Sequence, residues 1–251
     1  MSERFKGKIV IVTGGSRGIG LALAAQLLEE EAKVVICGRK QEGLDKAVDT
    51  FGAPENLMSV QAHVAKEPDV EALFNAVMDR YARLDVLINN VGMNIMTGSV
   101  ADTDPGLWQK IIETNLHGTF LCSRRAAVIM KAQKSGKIVT ISSIAARKAS
   151  PGMGVYGIAK AGMEMLTRVL AAELAPFNIQ VNAVAPGMVK TDFSKPFWSN
   201  QEMHDSIVRT IPLGRLAESL DVVHPALFLA SEGSNYITGQ VLSVDGGSTA
   251  V

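Results

Sequence analysis

The sequence is poor in cysteine and in aromatic residues, and it carries no net charge. Only two of its 251 residues are cysteines, Cys37 and Cys122. Both lie in apolar runs, which excludes a disulfide framework and favours a reducing compartment. The 25 basic and 25 acidic side chains cancel, so the charge indicates neither nucleic acid nor an anionic membrane as a partner. No apolar run approaches the roughly 18 residues that a membrane-spanning helix needs.

Signals for export and for metal binding are also missing. Residues 1–6 lack the apolar stretch that is typical of a signal peptide. The histidines show no spacing typical of metal ligands, and we expect no metal site; they are His63, His117, His204 and His224. The sequence therefore predicts a soluble cytoplasmic protein whose partner is a small molecule.

What the chain does contain is a regular alternation of apolar strands and helices. Strands are predicted over residues 8–13, 33–37, 57–61, 85–89, 137–142, 180–185 and 241–244. Helices are predicted from Gly20 to Glu31 and over residues 41–50, 70–81, 108–131, 156–175 and 218–230. This order is typical of an α/β fold, and no linker divides the chain. We expect one domain over residues 1–251, with a doubly wound parallel sheet of about seven strands and helices on both faces.

Residues 187–215 show no such pattern, and we expect them to be irregular. The segment is too long for a simple crossover, and loops of this length usually serve as lids or binding loops. Its Phe193, Phe197 and Trp198 would either cover a ligand or pack against the body or another subunit. We interpret the segment as a substrate lid.

A glycine-rich turn follows the first strand. Its glycines form the pattern Gly-x-x-x-Gly-x-Gly and directly precede a helix; the turn contains Gly14, Ser16, Arg17, Gly18, Ile19 and Gly20. Glycine lets the backbone approach a pyrophosphate, and the helix N-terminus supplies N–H groups and a positive dipole end. No Gly-Lys-Ser/Thr follows, which excludes a P-loop. The turn predicts a dinucleotide site.

The residues after the second strand indicate which dinucleotide is bound. A carboxylate at that position would hold the ribose 2′-hydroxyl of NAD(H), but the run here is Cys37-Gly38-Arg39-Lys40. Arg39, together with Arg17 in the glycine turn, could instead meet a 2′-phosphate through forked guanidinium donors. The sequence therefore favours NADP(H) over NAD(H).

A possible reaction centre lies at residues 143–160. Tyr156 and Lys160 are four positions apart, so they share one face of a predicted helix. A phenol that donates protons near neutral pH needs its pKa lowered from about 10, and we expect the Lys160 ammonium to contribute. Ser143 follows the fifth predicted strand, and its hydroxyl could face the substrate oxygen that Tyr156 would protonate. It lies 13 positions before Tyr156, and this spacing favours Ser143 over the neighbouring Ser142.

Taken together, these motifs resemble those of the short-chain dehydrogenase/reductase family over nearly the whole chain. Thr13 to Gly20 resembles the family's cofactor turn, and Asn89-Asn90-Val91-Gly92 resembles its Asn-Asn-Ala-Gly element. The resemblance implies a Rossmann-like fold and a catalytic tetrad of Asn115, Ser143, Tyr156 and Lys160. It also implies cofactor contacts from the tetrad's tyrosine and lysine and from His63, Val64, Asn90, Gly92, Pro186, Gly187, Val189 and Thr191. Asp245-Gly246-Gly247 resembles the family's C-terminal turn.

Two positions depart from the family pattern. Val91 replaces the usual alanine, and His63 stands where an aspartate often contacts the adenine amino group. The second change puts the adenine contact in doubt, although the Val64 backbone could still serve. The same His-Val pair, with a segment like Lys190–Ser194, also resembles some NADPH-dependent carbonyl reductases.

The resemblance implies reduction of a ketone or aldehyde by NADPH. Ser143 and Tyr156 would polarise the carbonyl oxygen, and Tyr156 would deliver the proton or, in the oxidative direction, remove it. Lys160 would hold the nicotinamide ribose. Asn115 would interrupt its helix and hold a water that links Lys160 to solvent, or would simply bond to its own backbone.

Other functions stay open at this point. The chain could reduce 3-oxoacyl thioesters on an acidic carrier protein or on coenzyme A, which could be attracted by Arg124, Arg125, Arg147 or Lys148. It could also be a dinucleotide-binding regulator without catalysis, although it keeps the complete tetrad. Enoyl reduction is less favoured because the related branch usually spaces its tyrosine and lysine differently.

Assembly and the substrate pocket are also open. The resemblance implies a homotetramer or a homodimer, with residues 108–131 and 156–175 as the interface. Methionines adapt to varied apolar substrates, and the candidates for the pocket are Ile95, Met96, Met153 and Met188, each of which could equally pack in the core. The sequence names neither the substrate nor the net direction of the reaction.

Overall fold

A parallel sheet of seven strands organises the chain in a computed structural model that describes residues 4–150 and 152–251. The strands are β1 (Ile9–Thr13), β2 (Lys33–Gly38), β3 (Leu57–Gln61), β4 (Val86–Asn89), β5 (Gly136–Ile141), β6 (Ile179–Pro186) and β7 (Val241–Val244). Their order in the sheet is β3-β2-β1-β4-β5-β6-β7. The order reverses between β1 and β4, where Val10 lies opposite both Val34 and Val86. A ligand site is expected beyond the carboxyl ends of the strands at such a reversal.

Nine α-helices flank the sheet in the described part of the chain. They are α1 (Gly18–Glu29), α2 (Gln41–Thr50), α3 (Glu67–Tyr81), α4 (Pro105–Ile112), α5 (Gly118–Gln133), α6 (Gly154–Leu174), α7 (Lys195–Trp198), α8 (Gln201–Val208) and α9 (Ser219–Ala230). The predicted doubly wound α/β fold is confirmed.

The side chains of β1 show why the sheet needs helices on both faces. Side chains alternate along a strand, so Val10 and Val12 pack in one apolar cluster with α1 and α9. Ile9 and Ile11 pack in a second cluster with α3, α5 and the end of α6. All four side chains are buried. Burial on both faces explains why β1 reads as a continuous apolar run.

The helix predicted over residues 108–131 begins three residues earlier than expected and is interrupted at Asn115. Asp104 accepts a hydrogen bond from the Leu107 N–H, so the helix begins earlier, at Pro105. A π-helical turn over Glu113–His117 then separates α4 from α5. Within it, the Asn115 amide donates to the Ile111 carbonyl at 2.8 Å and competes with the regular ladder. The interruption at Asn115 is therefore confirmed.

The prediction of an irregular 187–215 segment is wrong. It contains α7 and α8, and the Asn200 side chain accepts from the Met203 N–H at the start of α8. Both helices are too short to show a clear apolar period. Elsewhere the predicted boundaries differ from the structure by up to three residues, as at α3, which begins at Glu67 because Pro68 suits a first helical turn.

The cysteines lie where apolar residues would. Cys37 and Cys122 are buried free thiols, and burial raises the pKa of Cys37 to about 12.

No helix among residues 4–150 and 152–251 is long and apolar enough to span a membrane. The same residues contain no group of three or more histidine, cysteine or acidic side chains that could hold a metal ion.

Candidate active site

A cleft of about 640 Å³ lies at the carboxyl ends of the strands, and its lining contains most of the predicted site residues. At one end it is lined by Gly14, Ser16, Arg17, Gly18, Ile19, Arg39, His63, Val64 and Asn90. At the other end it is lined by Gly92, Ser143, Tyr156, Lys160, Pro186, Gly187, Val189 and Thr191. Gly20 and Asn115 are instead buried behind this lining. We call the two parts the phosphate end and the reacting end.

The glycine turn shapes the phosphate end. Gly14 and Gly18 have φ angles of 68° and 56°, which favour glycine over any residue with a side chain. A Cβ at Gly20 would lie 2.3 Å from the Gly14 carbonyl oxygen and 2.5 Å from the Asn90 amide nitrogen. Gly20 is therefore required for close packing behind the turn, whereas Gly14 and Gly18 form the surface that a ligand would touch.

The donor groups at this end fit a phosphorylated ligand. The Ncap residue of α1, Arg17, makes no side-chain capping bond, so the first N–H groups of the helix can meet an anion. Arg17, Arg39 and Lys40 are exposed and line the cleft. Neither arginine forms an ion pair with a described carboxylate. The site can therefore hold a pyrophosphate and an additional phosphate.

His63 and Val64, which the resemblance places near the adenine, lie in the loop after β3 and line the cleft. The His63 N–H donates to Asp69 at 2.8 Å, and its Nδ1 accepts from the Ala65 N–H at 3.2 Å. These bonds fix the loop after β3 against α3. Both residues line the cleft, so the change from aspartate to histidine at position 63 leaves the loop in place.

Asn90 joins β1 to β4 beneath the glycine turn. Its backbone N–H donates to the Thr13 hydroxyl at 2.9 Å. Its amide donates to the carbonyl oxygens of Thr13 and Gly14 at 3.0 and 3.3 Å. The Asn-Asn-Val-Gly element thus holds the turn that follows β1.

The reacting end is built on α6. Tyr156 and Lys160 lie one turn apart and are both buried, and Ser143 is hydrogen-bonded to Tyr156. The Lys160 ammonium donates to the Ile141 carbonyl at 2.9 Å and lies 5.5 Å from the centre of the Tyr156 ring. Helix spacing brings together Tyr156 and Lys160, and the end of β5 brings Ser143 to them, so three of the four side chains predicted for catalysis line the cleft.

Burial controls the charges of these groups. It raises the pKa of Tyr156 to about 12, against a smaller lowering by the Ser143 hydrogen bond. It lowers the pKa of Lys160 to about 7. Among the protein's own groups, burial therefore outweighs any lowering of the Tyr156 pKa, and the lowering expected from Lys160 together with a cationic cofactor ring stays a prediction.

Asn115 is held between α4 and the loop after β4. Its amide donates to the carbonyl oxygens of Met93 and Ile111, both at 2.8 Å, and its Oδ1 accepts from the Met93 N–H at 3.1 Å. A Cβ at Gly92 would lie 3.4 Å from Asn115 Oδ1 and 3.5 Å from Lys160 Nζ. Gly92 therefore leaves room for the polar atoms of both Asn115 and Lys160 beside the loop after β4.

Comparison with known proteins decides the family. The family profile described as enoyl-(acyl carrier protein) reductase matches residues 14–249. Human dehydrogenase/reductase SDR family member 4 is 36% identical over 242 residues, which are 96% of this chain and 87% of that protein. This chain is a short-chain dehydrogenase/reductase. The family predicted from the motifs is confirmed, and the protein is an oxidoreductase of the dehydrogenase/reductase kind.

Solved structures of this family share the complete fold. ElxO with NADP bound is 36% identical, with a TM-score of 0.93 and coverage of 98% of this chain and 100% of that one. Levodione reductase is 28% identical, with a TM-score of 0.94 and coverage of 99% and 100%. One of these two structures thus contains NADP, and the other is named as a reductase of levodione.

Several residues of the 187–215 segment line the cleft of this short-chain dehydrogenase/reductase. Phe193 and Phe197 line the cleft, while the Trp198 indole N–H donates to the Thr191 carbonyl oxygen at 3.2 Å. Of the pocket candidates, Met153 and Met188 line the cleft. Ile95 instead packs against a small core cluster, and Met96 is 65% exposed.

Three polar residues near the site were not predicted from the sequence. Lys40 follows Arg39 directly and adds a third cation to the phosphate end. Asn94 lines the reacting end, and its amide donates to the Met153 sulfur at 3.1 Å. Glu164 is buried on α6 and accepts from Ser142 and Arg147. Only Glu164 had a signal in the sequence, because it continues the spacing of Tyr156 and Lys160 by another four positions.

Proposed function

We propose that this protein is an NADP(H)-dependent oxidoreductase that interconverts a ketone or aldehyde with its alcohol, with Tyr156 as the general acid and base. One observation carries the proposal. Ser143, Tyr156 and Lys160 meet at the reacting end of the same cleft whose other end presents a glycine turn and unpaired arginines. A dinucleotide of the NADP(H) type matches both ends.

The residues of the chain act on the carbonyl oxygen. NADPH, when bound, supplies the hydride. Ser143 and Tyr156 donate hydrogen bonds to the oxygen and stabilise the negative charge that develops on it. Tyr156 then transfers its proton to that oxygen, and in the oxidative direction it removes the proton.

The shifted pKa values suit these roles. A Tyr156 pKa of about 12 keeps the phenol protonated at neutral pH. The general acid therefore has a proton to donate in the reductive direction. A Lys160 pKa of about 7 places this amine where it exchanges protons readily near neutral pH. Lys160 therefore suits the return of a proton to Tyr156, and its N–H groups suit the ribose hydroxyls. Asn115 lies beside the same glycine, Gly92, as Lys160, and we propose that it holds a water that links Lys160 to solvent.

The preference for NADP(H) rests on charge. Arg17, Arg39 and Lys40 offer three cations to a 2′-phosphate, and the turn after β2 supplies no carboxylate for a ribose hydroxyl. ElxO shares this fold, and its solved structure has NADP bound. NAD(H) would leave the cations without their anion, so we expect it to bind more weakly.

The substrate side favours a small, partly apolar carbonyl compound. Met153, Met188, Phe193 and Phe197 line the reacting end beside Asn94. We propose that the 187–215 segment acts as a substrate lid within a single catalytic domain. Levodione reductase shares the fold, which is consistent with a ketone substrate.

A second candidate is reduction of an acyl thioester. The description of the matching family profile refers to an acyl carrier protein. Against this, Arg124, Arg125 and Arg147 are engaged with Glu67, Glu71 and Glu164, which leaves Lys148 at the cleft as the cation for an acidic carrier. A 3-oxoacyl thioester is a ketone, so the same catalytic residues would serve it.

We also propose a homodimer or homotetramer. Exposed apolar side chains lie on α5 and α6, including Val128 at 57% and Met165 at 57%, and such side chains are typical of interfaces. Light scattering on the purified protein measures the assembly. A monomer at all concentrations would contradict this part of the proposal.

Initial rates test the function. NADPH and NADH oxidation is measured against ketones, diketones, aldehydes, 3-oxoacyl thioesters and enoyl thioesters, with Tyr156→Phe as the control. We expect turnover of a carbonyl compound with NADPH that the control loses. Turnover of enoyl thioesters alone, or equal rates for the control, would contradict the proposal.

A further inference from the structure

We propose that Glu164 is a positioning residue that ties both ends of the Ser143 turn to the helix carrying Tyr156 and Lys160. The Ser143 turn is the stretch 142–147. The inference rests on the proposed function, in which Ser143 and Tyr156 bind the same carbonyl oxygen. It adds a residue that touches neither substrate nor cofactor but fixes the distance between the two hydroxyls.

The Glu164 carboxylate bonds to the turn on two sides. Ser142, at the start of the turn, donates from its hydroxyl to Oε1 at 3.4 Å. Arg147, at the end of the turn, donates from Nε to Oε2 at 3.3 Å. The Glu164 side chain is 5% exposed and the Ser142 bond is buried, so the carboxylate has little access to water as an alternative partner.

Ser143 lies between the two bonded residues. Its hydroxyl accepts from the Ala145 N–H at 3.2 Å and caps a 3₁₀ turn over Ile144–Ala146. The Ser142 N–H donates to the Val184 carbonyl oxygen at 2.7 Å. With the backbone fixed at one end by β6 and the side chains fixed at both ends by Glu164, the Ser143 hydroxyl has one defined position.

The helix supplies the other half of the link. Tyr156, Lys160 and Glu164 follow at intervals of four residues on α6, so they lie in one row on the same face. A helix is stiff over two turns. A shift of the turn relative to Glu164 would therefore change the distance between Ser143 and Tyr156 directly.

The Arg147 side chain is also hydrogen-bonded to β7, which fixes its position. Its two terminal nitrogens donate to the Ser243 hydroxyl at 2.8 Å and to the Val241 carbonyl oxygen at 3.0 Å. Arg168 also contacts Glu164 at 3.3 Å, but from the solvent side and without touching the turn. Arg168 therefore provides a matched control, because its loss removes a Glu164 contact and leaves the turn bonded.

Glu164→Gln tests the inference with little change in volume. Glutamine carries no charge, so the ion pair with Arg147 becomes a neutral contact, and the Ser142 hydroxyl must change from donor to acceptor where it meets the amide NH2. We expect kcat to fall by about ten- to a hundredfold, since small misplacement of a catalytic group has effects of that order. We expect the KM for NADPH to stay within about twofold, because the phosphate end is unchanged.

A double-mutant cycle separates positioning from loss of stability. If Glu164 acts through Ser143, then Glu164→Gln should cost less than about threefold in kcat once Ser143→Ala is present. Arg168→Gln should leave kcat unchanged. Equal losses in both backgrounds would overturn the inference. Ser142→Ala removes one bond only and should lower kcat in the same direction, which keeps the test decisive if Glu164→Gln does not fold.

A spectroscopic readout needs no turnover. The chain has three tyrosines, so ¹³Cζ-labelled tyrosine in a Tyr81→Phe/Tyr236→Phe background reports Tyr156 alone. We expect Glu164→Gln to shift this resonance in the direction that Ser143→Ala does, and Arg168→Gln to leave it unmoved. An unmoved resonance with Glu164→Gln would overturn the inference. Retained activity of Tyr156→Phe would instead overturn the proposed function while leaving this readout valid.

Discussion

The phosphate end and the reacting end of the cleft are made from different parts of the chain. The phosphate end consists of backbone, with Gly14, Gly18 and the free N–H groups of α1, surrounded by exposed cations. The reacting end consists of buried side chains on α6 and the Ser143 turn. Backbone donors recognise a phosphate whatever is attached to it, whereas buried side chains set the chemistry of one reaction.

Burial also separates the two ends electrostatically. Arg17 and Arg39 present exposed guanidinium groups, which suits attraction of an anion. Tyr156 and Lys160 are buried, and their pKa values move to about 12 and about 7. The two ends should therefore respond differently to mutation, with binding changed at one end and turnover at the other.

The largest expected effect is at the reacting end. Tyr156→Phe removes the proton donor and one of the two bonds to the carbonyl oxygen. We expect kcat to fall by about a thousandfold or more, since general acid catalysis and a lost oxygen contact each contribute to the barrier. Steady-state rates measure the change, and activity within tenfold of the wild type would contradict the role of Tyr156.

At the phosphate end the largest effect should be on stability. Gly20→Ala would place a methyl group 2.3 Å from the Gly14 carbonyl oxygen, and overpacking of this kind costs about 1–3 kcal/mol. Urea unfolding measures the loss. The same substitution at Gly233, whose added Cβ would meet Phe228 at an ordinary 3.5 Å, should change stability by less than about 0.5 kcal/mol. Equal effects would contradict the packing role of Gly20.

Arg39→Ala should weaken the cofactor preference. Loss of a charged hydrogen bond costs about 1.5–3 kcal/mol, so we expect the KM for NADPH to rise by about ten- to a hundredfold while that for NADH changes little. Initial rates with both cofactors measure this. An equal rise for both cofactors would show that Arg39 does not contact the 2′-phosphate.

The smallest expected effect is the pH dependence of stability from Lys160. Its pKa is about 7 in the folded protein and about 10.4 when unfolded, so the unfolded state binds more protons between these values. Stability from this residue therefore rises as the pH increases through that window. Lys160→Met should be more stable than the wild type near pH 7, and the gap should narrow by about 1–2 kcal/mol toward pH 9.

Urea midpoints across that range measure the Lys160 effect. The exposed Lys46, which pairs with Glu42, supplies the control, since Lys46→Met should give a pH dependence parallel to that of the wild type. A constant gap between Lys160→Met and the wild type would contradict the lowered pKa.

The fold could be predicted from the sequence because its signals are local. The apolar run of β1, the glycine turn and the length of α6 each follow from a few adjacent residues. What could not be predicted depends on contacts between distant parts of the chain. The family resemblance predicted an interruption at Asn115 but not the π-helical turn, in which the side chain bonds to the distant Met93 as well as to Ile111.

The site divides in the same way. Local spacing brought Tyr156 and Lys160 together, whereas the contacts of Glu164 with Ser142 and Arg147 require the folded turn. The pKa values of Tyr156 and Lys160 could not be predicted from the sequence, because burial sets both of them and the sequence shows only that a lysine lies near a tyrosine. The helices of the 187–215 segment were missed because α7 has only four residues.

The most direct test of the account compares NADPH binding with turnover in Tyr156→Phe and Arg39→Ala. Fluorescence titration gives the Kd for NADPH, and initial rates at saturating NADPH give kcat. We predict that Tyr156→Phe keeps the Kd within about threefold and loses turnover, while Arg39→Ala raises the Kd by about tenfold or more and keeps kcat. Loss of NADPH binding in Tyr156→Phe, or loss of kcat in Arg39→Ala, would contradict the separation of the two ends.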